Sequence, residues 1–472
     1  MNLITELRAA LGGKAVLTEA ADRAGFEADW RRLYHYPALC VVLPETVEQV
    51  AASVKLCVAK GVGIVPQGGN TGLVAGGVPA AGGDQVVLSL ARMRRIRGID
   101  TVSDTMIVEA GVTLLAVQEA AASVQRLFPV SLGAEGTAQI GGLISTNAGG
   151  VQVLSYGSMR AQVLGLEVVL PDGAVWNGLR ALRKDNTGFD LKQIFIGAEG
   201  TLGIITAACL RLYPPVTSQA TALVGVASIT GAMAVFQALR ARAGAGLTLC
   251  EFIARPAMEL AAAHVPVGRS PFPAGGYVLA ELSAHGPGEN MDGALEEVLA
   301  AALEAGTATE VVIAQSGRER ADMLALREAV PEGELKEGGA VKHDIAVPLG
   351  AIPATVAAIE ELVGRKYPDC RLNIFGHMGD GNLHMNIRPP VGQSLAALGD
   401  RKVEITRDVE DLAAAQGGSF SAEHGIGQMR LDGMRAHKSG VELGLMRALK
   451  RAIDPAGLFN PGKMIPEEDE TA

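Results

Sequence analysis

Cysteine is sparse in this chain: five residues (Cys40, Cys57, Cys209, Cys250 and Cys370) are scattered, odd in number, and form no CxxC pair. That argues against a disulfide frame and against a structural zinc site built on thiolates, and it favours a reducing compartment. No run of 18 or more uncharged apolar residues occurs, so no membrane-spanning helix is expected. The opening "MNLITELRAALGGK" carries charges every few residues and has no apolar stretch of its own, so no signal peptide is expected. Basic stripes are missing as well, and the net charge of −10 argues against nucleic acid as a partner. Aromatics make up only 4% of the chain. The expectation is a soluble, multi-domain, cytoplasmic protein.

What is present describes a globular chain, 48% hydrophobic and 19% charged, and 472 residues suggest two to three domains. In "ETVEQVAASVKLCVAKG" the spacing predicts a helix, with Thr46 and Gln49 as a capping-box pair and Gly61 as its stop. Strands are expected at "ALCVVLP", "VGIVP", "QVVLSL" and "TMIVEAGV", and a hairpin around Pro171-Asp172-Gly173. From Thr217 the texture changes to Ala-rich helices alternating with strands such as "GYVLAELSA", "ATEVVIAQ" and "VKHDIAVPL". The organisation read from this is a helical lead over 1–38, an α+β unit over 39–216, a second α+β domain over 217–424, and a returning segment over 425–472 whose acidic end, 466–472, is expected to fray.

Glycine is abundant, with 59 residues, and it clusters in "PQGGNTG" (66–72), "IGGLISTNAGG" (140–150) and "GAEGTLGIIT" (197–206). One such stretch is most simply a tight turn. Three in one unit suggest backbone amides that form anion-binding concavities suited to a pyrophosphate. No GxGxxG follows a strand, which weakens a Rossmann reading. "GLFNPGKM" mimics a P-loop, but Met464 replaces the Mg²⁺-binding hydroxyl and Pro461 removes an amide, so ATP is rejected.

"GHMGDGNLHMN" (376–386) poses a different question. Flanking alternation and Asp380-Gly381 predict a hairpin with a two-residue turn, in which position 377 faces position 384. His377, His384, Asn386 and Arg388 then share one face, opposite Leu372, Ile374, Met378, Leu383, Met385 and Ile387. Two imidazoles beside an Asn suit a divalent metal, zinc foremost. Two histidines bonding across a hairpin account for this segment equally well. "SAEHGIGQ" (421–428) adds Glu423 and His424, and only the combined set favours a metal.

The motifs "PQGGNTG", "GGLISTNAGG", "LRKDNTGFDLKQIFIGAEGTLGIIT", "GHMGDGNLHMN", "SAEHGIG" and "DPAGLFNPGKM", taken in order, resemble one family across nearly the whole chain, about Leu39 to Met464. It is the vanillyl-alcohol oxidase/p-cresol methylhydroxylase flavoprotein family, in its D-2-hydroxyacid dehydrogenase branch. Within that branch the motifs resemble those of the D-2-hydroxyglutarate dehydrogenases. The resemblance implies an α+β fold with a two-part FAD-binding domain and an α+β cap domain for substrate. It implies that FAD lies on Pro66, Gly68, Gly69, Asn70, Thr71 and Gly72, with Gly136, Thr137, Gly142, Thr146, Asn147 and Gly150 on the other side. Gly200, Gly203 and Ile205 would follow along the cofactor, and Asn460 would approach its ring. The first loop has no His, so non-covalent FAD is expected.

For the second domain the resemblance implies His377, His384 and Glu423 as ligands of zinc or another divalent metal, Asn386 as a substrate contact and His424 as the base. It also places Arg327 and Lys342, fifteen residues apart, on substrate carboxylates, where Arg suits a bidentate contact and Lys a point charge. Some relatives carry a threonine four residues after that Arg; here Pro331 offers no donor, which weakens the expectation of a diacid. The implied activity is oxidation of a D-2-hydroxyacid, D-2-hydroxyglutarate first and D-malate next, by hydride transfer to flavin N5. No iron–sulfur motif is present, so the electrons are expected to pass to an external acceptor such as an electron-transfer flavoprotein or a quinone. The alternatives are a D-lactate or glycolate dehydrogenase, a non-redox FAD transferase, and a zinc hydrolase without flavin. A homodimer is compatible with this reading.

Overall fold

The Thr46 hydroxyl accepts from the Gln49 amide, and the Gln49 side chain accepts from the amide of Glu45, one residue earlier than a capping box would place it. The helix so started runs Val47–Ala59, buries Val50, Val54 and Cys57, and gives way at Gly61, where φ is +65°. The computed structural model describes residues 2–264 and 272–467, so the expected frayed end lies outside it from residue 468 on. Two units divide the chain. The first comprises Met1–Gly150, Gly157–Pro215 and Glu423–Ala472, the second Val151–Tyr156 and Val216–Ala422. Among the described residues no helix is long and apolar enough to cross a membrane.

In the first unit, β1 (Val16–Leu17), β2 (Cys40–Val42), β3 (Ile64–Gln67) and β4 (Val86–Ser89) form a sheet in the order β1-β2-β4-β3. β2, β4 and β3 are parallel and fully buried in all but Pro66. The exposed edge of β3 is taken up by the C-terminal segment: the Ile64 amide donates to Leu458 O and the Asn460 amide to Ile64 O. This sets Asn460 beside the strand that leads into "PQGGNTG". A second, antiparallel sheet has the order β5-β6-β9-β7-β8, from β5 (Ile96–Asp100), β6 (Thr105–Glu109), β7 (Val163–Val169), β8 (Val175–Gly178) and β9 (Ile204–Arg211). The β7–β8 hairpin turns where the sequence predicts, with the Ala174 amide donating to the Asp172 carboxylate and Gly173 at φ +74°. Val42, Ile64, Leu88, Val169 and Ile204 belong to one core that joins the two sheets.

The second unit is built on one antiparallel sheet, β13-β10-β12-β11-β15-β16-β14. Its strands are β10 (Ser218–Val226), β11 (Leu247–Ala254), β12 (Gly276–Ala284), β13 (Glu310–Ile313), β14 (Asp344–Ala346), β15 (Arg371–His377) and β16 (Asn382–Arg388). Strand alternation sorts its side chains into two unlike faces. One face is apolar: Phe252, Val278, Ala280, Ile374, Met385 and Ile387 share a core with residues of the helices Ile229–Ala243, Met291–Glu304, Ile352–Lys366 and Arg401–Ala415. The other face mixes Leu249, Ile253, Leu279 and Phe375 with buried Glu251, Glu281, Asn373, His377, His384, Asn386 and Arg388. The helices Arg255–His264 and Gly317–Glu328 and the turn into Val330–Lys336 pack on this mixed face.

Two expectations need correcting here. The hairpin of residues 371–388 is present, but Phe375, not His377, stands opposite His384. Four residues, 378–381, make the turn instead of two. Tertiary partners explain the change: the Met378 amide donates to Cys250 O, the Val347 amide to Gly381 O, and the Asp380 carboxylate accepts from the Asn382 amide. Those bonds outweigh the local preference of Asp-Gly for a tight turn. Because the register moves by two residues, the predicted faces survive. Lys342, expected within a strand, instead precedes β14, in the stretch between the single bridge at Val341 and Asp344.

Candidate functional site

In the first unit the glycine stretches surround one cleft that holds about 960 Å³ of empty space, part of it open to solvent. Pro66, Gly68, Gly69, Asn70, Thr71 and Gly72 line it where "PQGGNTG" leaves β3, and Gly142, Thr146, Gly200, Gly203 and Ile205 line it from the other stretches. The second stretch is not simply a loop, because Ile140–Ser145 forms a short helix. Gly69 shows why glycine is needed: a Cβ there would lie 2.0 Å from the carbonyl oxygen of Thr137. The first loop is anchored on the N-terminal lead, since Asn70 Nδ2 donates to Ala28 O at 2.8 Å and Gln67 Nε2 to Phe26 O at 2.9 Å.

Gly136, Thr137, Asn147, Gly150 and Asn460, also expected to touch the cofactor, are not among the residues that line the cleft. The Thr137 carbonyl backs Gly69, and Gly136 and Thr137 are exposed. Asn147, at φ +50°, accepts from Ser158 Oγ and the Arg160 amide. Gly150, at φ +136°, is wedged so that a Cβ would lie 2.0 Å from Ser131 O. Asn460 is 2% exposed, and its Nδ2 donates to Gly76 O and to Glu199 O.

His424, by contrast, lines the cleft, as do Gln139 and Glu199, which sequence reasoning missed. The carboxylate of Glu199 accepts from the amides of Ile426 and Gly427 at 2.7 and 2.8 Å, so it holds the "HGIG" loop in place. Burial pushes the Glu199 carboxyl up despite those amides and the neighbouring Lys463, and burial also brings the Lys463 ammonium down to about 7. His424 Nε2 lies 3.6 Å from a carboxylate oxygen of Glu423.

A flavin dinucleotide suits this cleft on two counts. Its walls are largely glycine backbone, which brings amides close to a phosphate. The buried acceptor Gln139 Oε1, on the cleft wall, has no hydrogen-bond partner among the described residues, and a flavin or adenine N–H can supply one.

In the second unit the mixed face gathers His377, His384, Asn386 and Arg327. The rings of His377 and His384 lie 6.0 Å apart, centroid to centroid, at 72°. His377 stands opposite Glu251 of β11, and its Nδ1 is hydrogen-bonded to that carboxylate. Arg327 Nε donates to the second oxygen of Glu251 at 2.7 Å, with its guanidinium 5.2 Å from the Phe375 ring centroid. Burial pushes the Glu251 carboxyl up, but His377 and Arg327 together outweigh burial and hold it down at about 2. A carboxylate on Nδ1 turns Nε2 of His377 away from Glu251, the arrangement that metal-ligating histidines commonly use. The donor chemistry therefore fits a divalent metal.

Asn386 is 2% exposed; its Oδ1 accepts from the His343 amide and its Nδ2 donates to Glu334 at 3.0 Å. Lys342 Nζ is 3.7 Å from the same Glu334. Glu423 is reached through the chain: Ser421 bridges to Asp344, the Ala422 amide donates to Asp344 O, and Asp344 stands opposite His384. Glu423 follows Ala422 directly. Glu251 and Glu334 had no signal in the sequence, because neither sits in a motif and their hydrogen-bond partners are 39 to 126 positions away.

Comparison with known proteins agrees with this architecture. A family model described as FAD binding domain matches residues 38–178, and one described as FAD linked oxidases, C-terminal domain, matches residues 216–464. The chain is 37% identical to the mitochondrial D-2-hydroxyglutarate dehydrogenase of Bos taurus, over 96% of this chain and 81% of that protein. It is 36% identical to the D-2-hydroxyglutarate dehydrogenase of Xanthomonas citri pv. viticola, over 99% and 97%. Among solved structures it resembles p-cresol methylhydroxylase with a TM-score of 0.75 at 18% identity, covering 99% of this chain and 97% of that one. Alkyldihydroxyacetonephosphate synthase gives 0.72 at 16%, covering 97% and 85%. These likenesses show a shared α+β fold.

Proposed function

We propose that this chain, which belongs to the family of FAD-linked oxidoreductases that includes the D-2-hydroxyglutarate dehydrogenases, oxidises a D-2-hydroxyacid to the 2-oxoacid. Non-covalent FAD is held by the unit formed from residues 39–216 and 425–472, and substrate and metal by 217–424 with Glu423 at its end. D-2-hydroxyglutarate, the compound named in the relatives, is the first candidate substrate and D-malate the next; D-lactate and glycolate are the alternatives. The observation that carries the reading is the place of His424, on the wall of the glycine-lined cleft and one residue after Glu423.

His377, His384 and Glu423 would hold a divalent metal, zinc for this donor set, which when bound acts as a Lewis acid on the substrate hydroxyl. Arg327 and Lys342 attract the substrate carboxylates, and Asn386 orients what they hold. His424 takes the hydroxyl proton on a ring nitrogen. FAD, when bound, supplies the two-electron acceptor at flavin N5. The Cα–H bond breaks with its electron pair, the O–H bond yields a proton to His424, and the C=O bond of the 2-oxoacid forms. Two electrons then leave to an external acceptor, an electron-transfer flavoprotein or a quinone.

The test is anaerobic bleaching of the bound flavin by a panel of D-2-hydroxyacids. Yellow protein bleached by D-2-hydroxyglutarate supports the reading; faster bleaching by D-lactate overturns the substrate choice, and a folded, colourless protein unable to take up FAD overturns the function. His424→Gln is expected to lower kcat by about 10²–10⁴-fold with flavin retained. Glu251→Gln, which removes the charge that orients His377, is expected to weaken metal affinity about 10–100-fold in a chelator competition. Unaltered affinity there would reject Glu251 as a positioning residue.

A further inference from the structure

Glu199 is a buried glutamate whose backbone, at φ +50°, takes a conformation that residues with a side chain seldom adopt. Glycine would take it without strain, so the glutamate side chain must offset that cost. Its two carboxylate oxygens are both engaged, one by the Ile426 amide at 2.7 Å and the other by the Gly427 amide at 2.8 Å. The backbone is fixed as well: the Glu199 amide donates to Ser145 O, and its carbonyl accepts from Asn460 Nδ2. One residue therefore ties together the second glycine stretch, the returning tail and the loop after His424.

That loop is gripped from its far side too. A Cβ on Gly427 would lie 2.0 Å from Val74 O, and the Gln428 amide donates to the same carbonyl. Gln428 Nε2 donates to Ala75 O, and the Met464 amide to Gly427 O. Only Gly425 separates His424 from Ile426, and at φ +81° a Cβ on Gly425 would come 2.7 Å from the Glu199 carboxylate. His424 is thus carried one glycine away from a point that Glu199 fixes, and both residues line the same cleft.

We propose that Glu199 is a positioning residue for the oxidation: by holding the amides of Ile426 and Gly427 it places the His424 imidazole against the hydroxyl whose proton it takes. The inference rests on the 2-hydroxyacid reading above and deepens it, by naming the group on which the placement of the base depends. Glu199 takes no proton itself. A base displaced by about 1 Å can cost ~10²-fold in rate.

The test is Glu199→Gln in the FAD- and zinc-loaded protein. The variant keeps the size of the side chain but sets an amide nitrogen against one of the two backbone N–H groups, so one bond is lost and the loop shifts. Both kcat and the rate of anaerobic flavin bleaching by D-2-hydroxyglutarate are expected to fall about 10²-fold. KM is expected to stay within about threefold, with flavin and metal content unchanged. An unaltered kcat overturns the proposal. So does a loss that follows flavin content, as a merely structural role would give, or a loss that added zinc restores, which would move the effect to Glu423. Should Glu199→Gln fail to fold, Glu199→Asp decides, because aspartate keeps the charge and tolerates a positive φ but is one methylene short. With flavin retained, a kcat within about twofold of the unaltered protein overturns the proposal, and a larger fall supports it. Flavin in the unaltered protein that no D-2-hydroxyacid bleaches would overturn the 2-hydroxyacid reading itself, a failure distinct from full kcat in an active Glu199→Gln enzyme.

Discussion

Alanine at His377 is expected to lower kcat/KM by about 10³-fold or more while the protein stays yellow. The reasoning starts from geometry. His377 and His384 sit on one face with rings 6.0 Å apart, and His377 is turned by Glu251 so that one ring nitrogen is committed to a carboxylate. Removing the imidazole takes away one of the three proposed metal ligands and leaves Glu251 to Arg327, its other hydrogen-bond partner. Lewis-acid activation of a hydroxyl is worth several kcal/mol of transition-state stabilisation, and each 1.36 kcal/mol is tenfold in rate, which gives about three orders of magnitude. FAD binding rests on other residues, so flavin content should not follow activity. Elemental analysis, the visible spectrum and anaerobic reduction measured on one preparation check this. Full metal content with unchanged turnover would reject the metal assignment.

The second large effect is expected at Gly69. A Cβ there would lie 2.0 Å from Thr137 O, 2.9 Å from Thr137 C and 3.2 Å from Ala138 Cα. All three are backbone atoms, so no side chain can swing aside, and the first glycine loop must move away from the second. Overpacking typically costs about 1–3 kcal/mol even where side chains can adjust. Gly69→Ala should therefore purify with little or no flavin and melt several degrees lower, about 2–4 °C for each kcal/mol in a unit of this size. Gly98→Ala, in β5 and with no role toward the cofactor, is the control: nothing lies within 4 Å of its Cβ, and it should keep both flavin and melting temperature. Absorbance ratios and thermal melts read both variants, and a fully flavinated Gly69→Ala of unchanged stability would mean that the two loops do not need their close approach.

The contrast between these two sites shows how far the sequence can be read. At Gly69 the chain signals its own requirement, because three glycine clusters in one unit point to backbone brought close to backbone or ligand. The Val47–Ala59 helix and the Pro171-Asp172-Gly173 turn are legible for the same reason: caps, periodicity and turn residues act within a few positions. The histidine hairpin was legible only by face. Alternation assigns His377 and His384 to one side whatever the register, but the register itself was set by Cys250 and Val347, which bond to the turn from distant segments.

By itself, then, the sequence determined the FAD-linked class, the α+β elements, the glycine loops and the residue types gathered for chemistry, since each depends on short-range pattern or on motif order. Tertiary structure alone decided that Glu251 orients His377, that Glu199 grips the loop after His424, and that Glu334 engages Asn386. Each of these is a buried carboxylate whose partners lie far away in sequence. A lone Glu in a strand or helix reads as a solvated charge until sheet order and helix packing bury it, and only then must its partners be found.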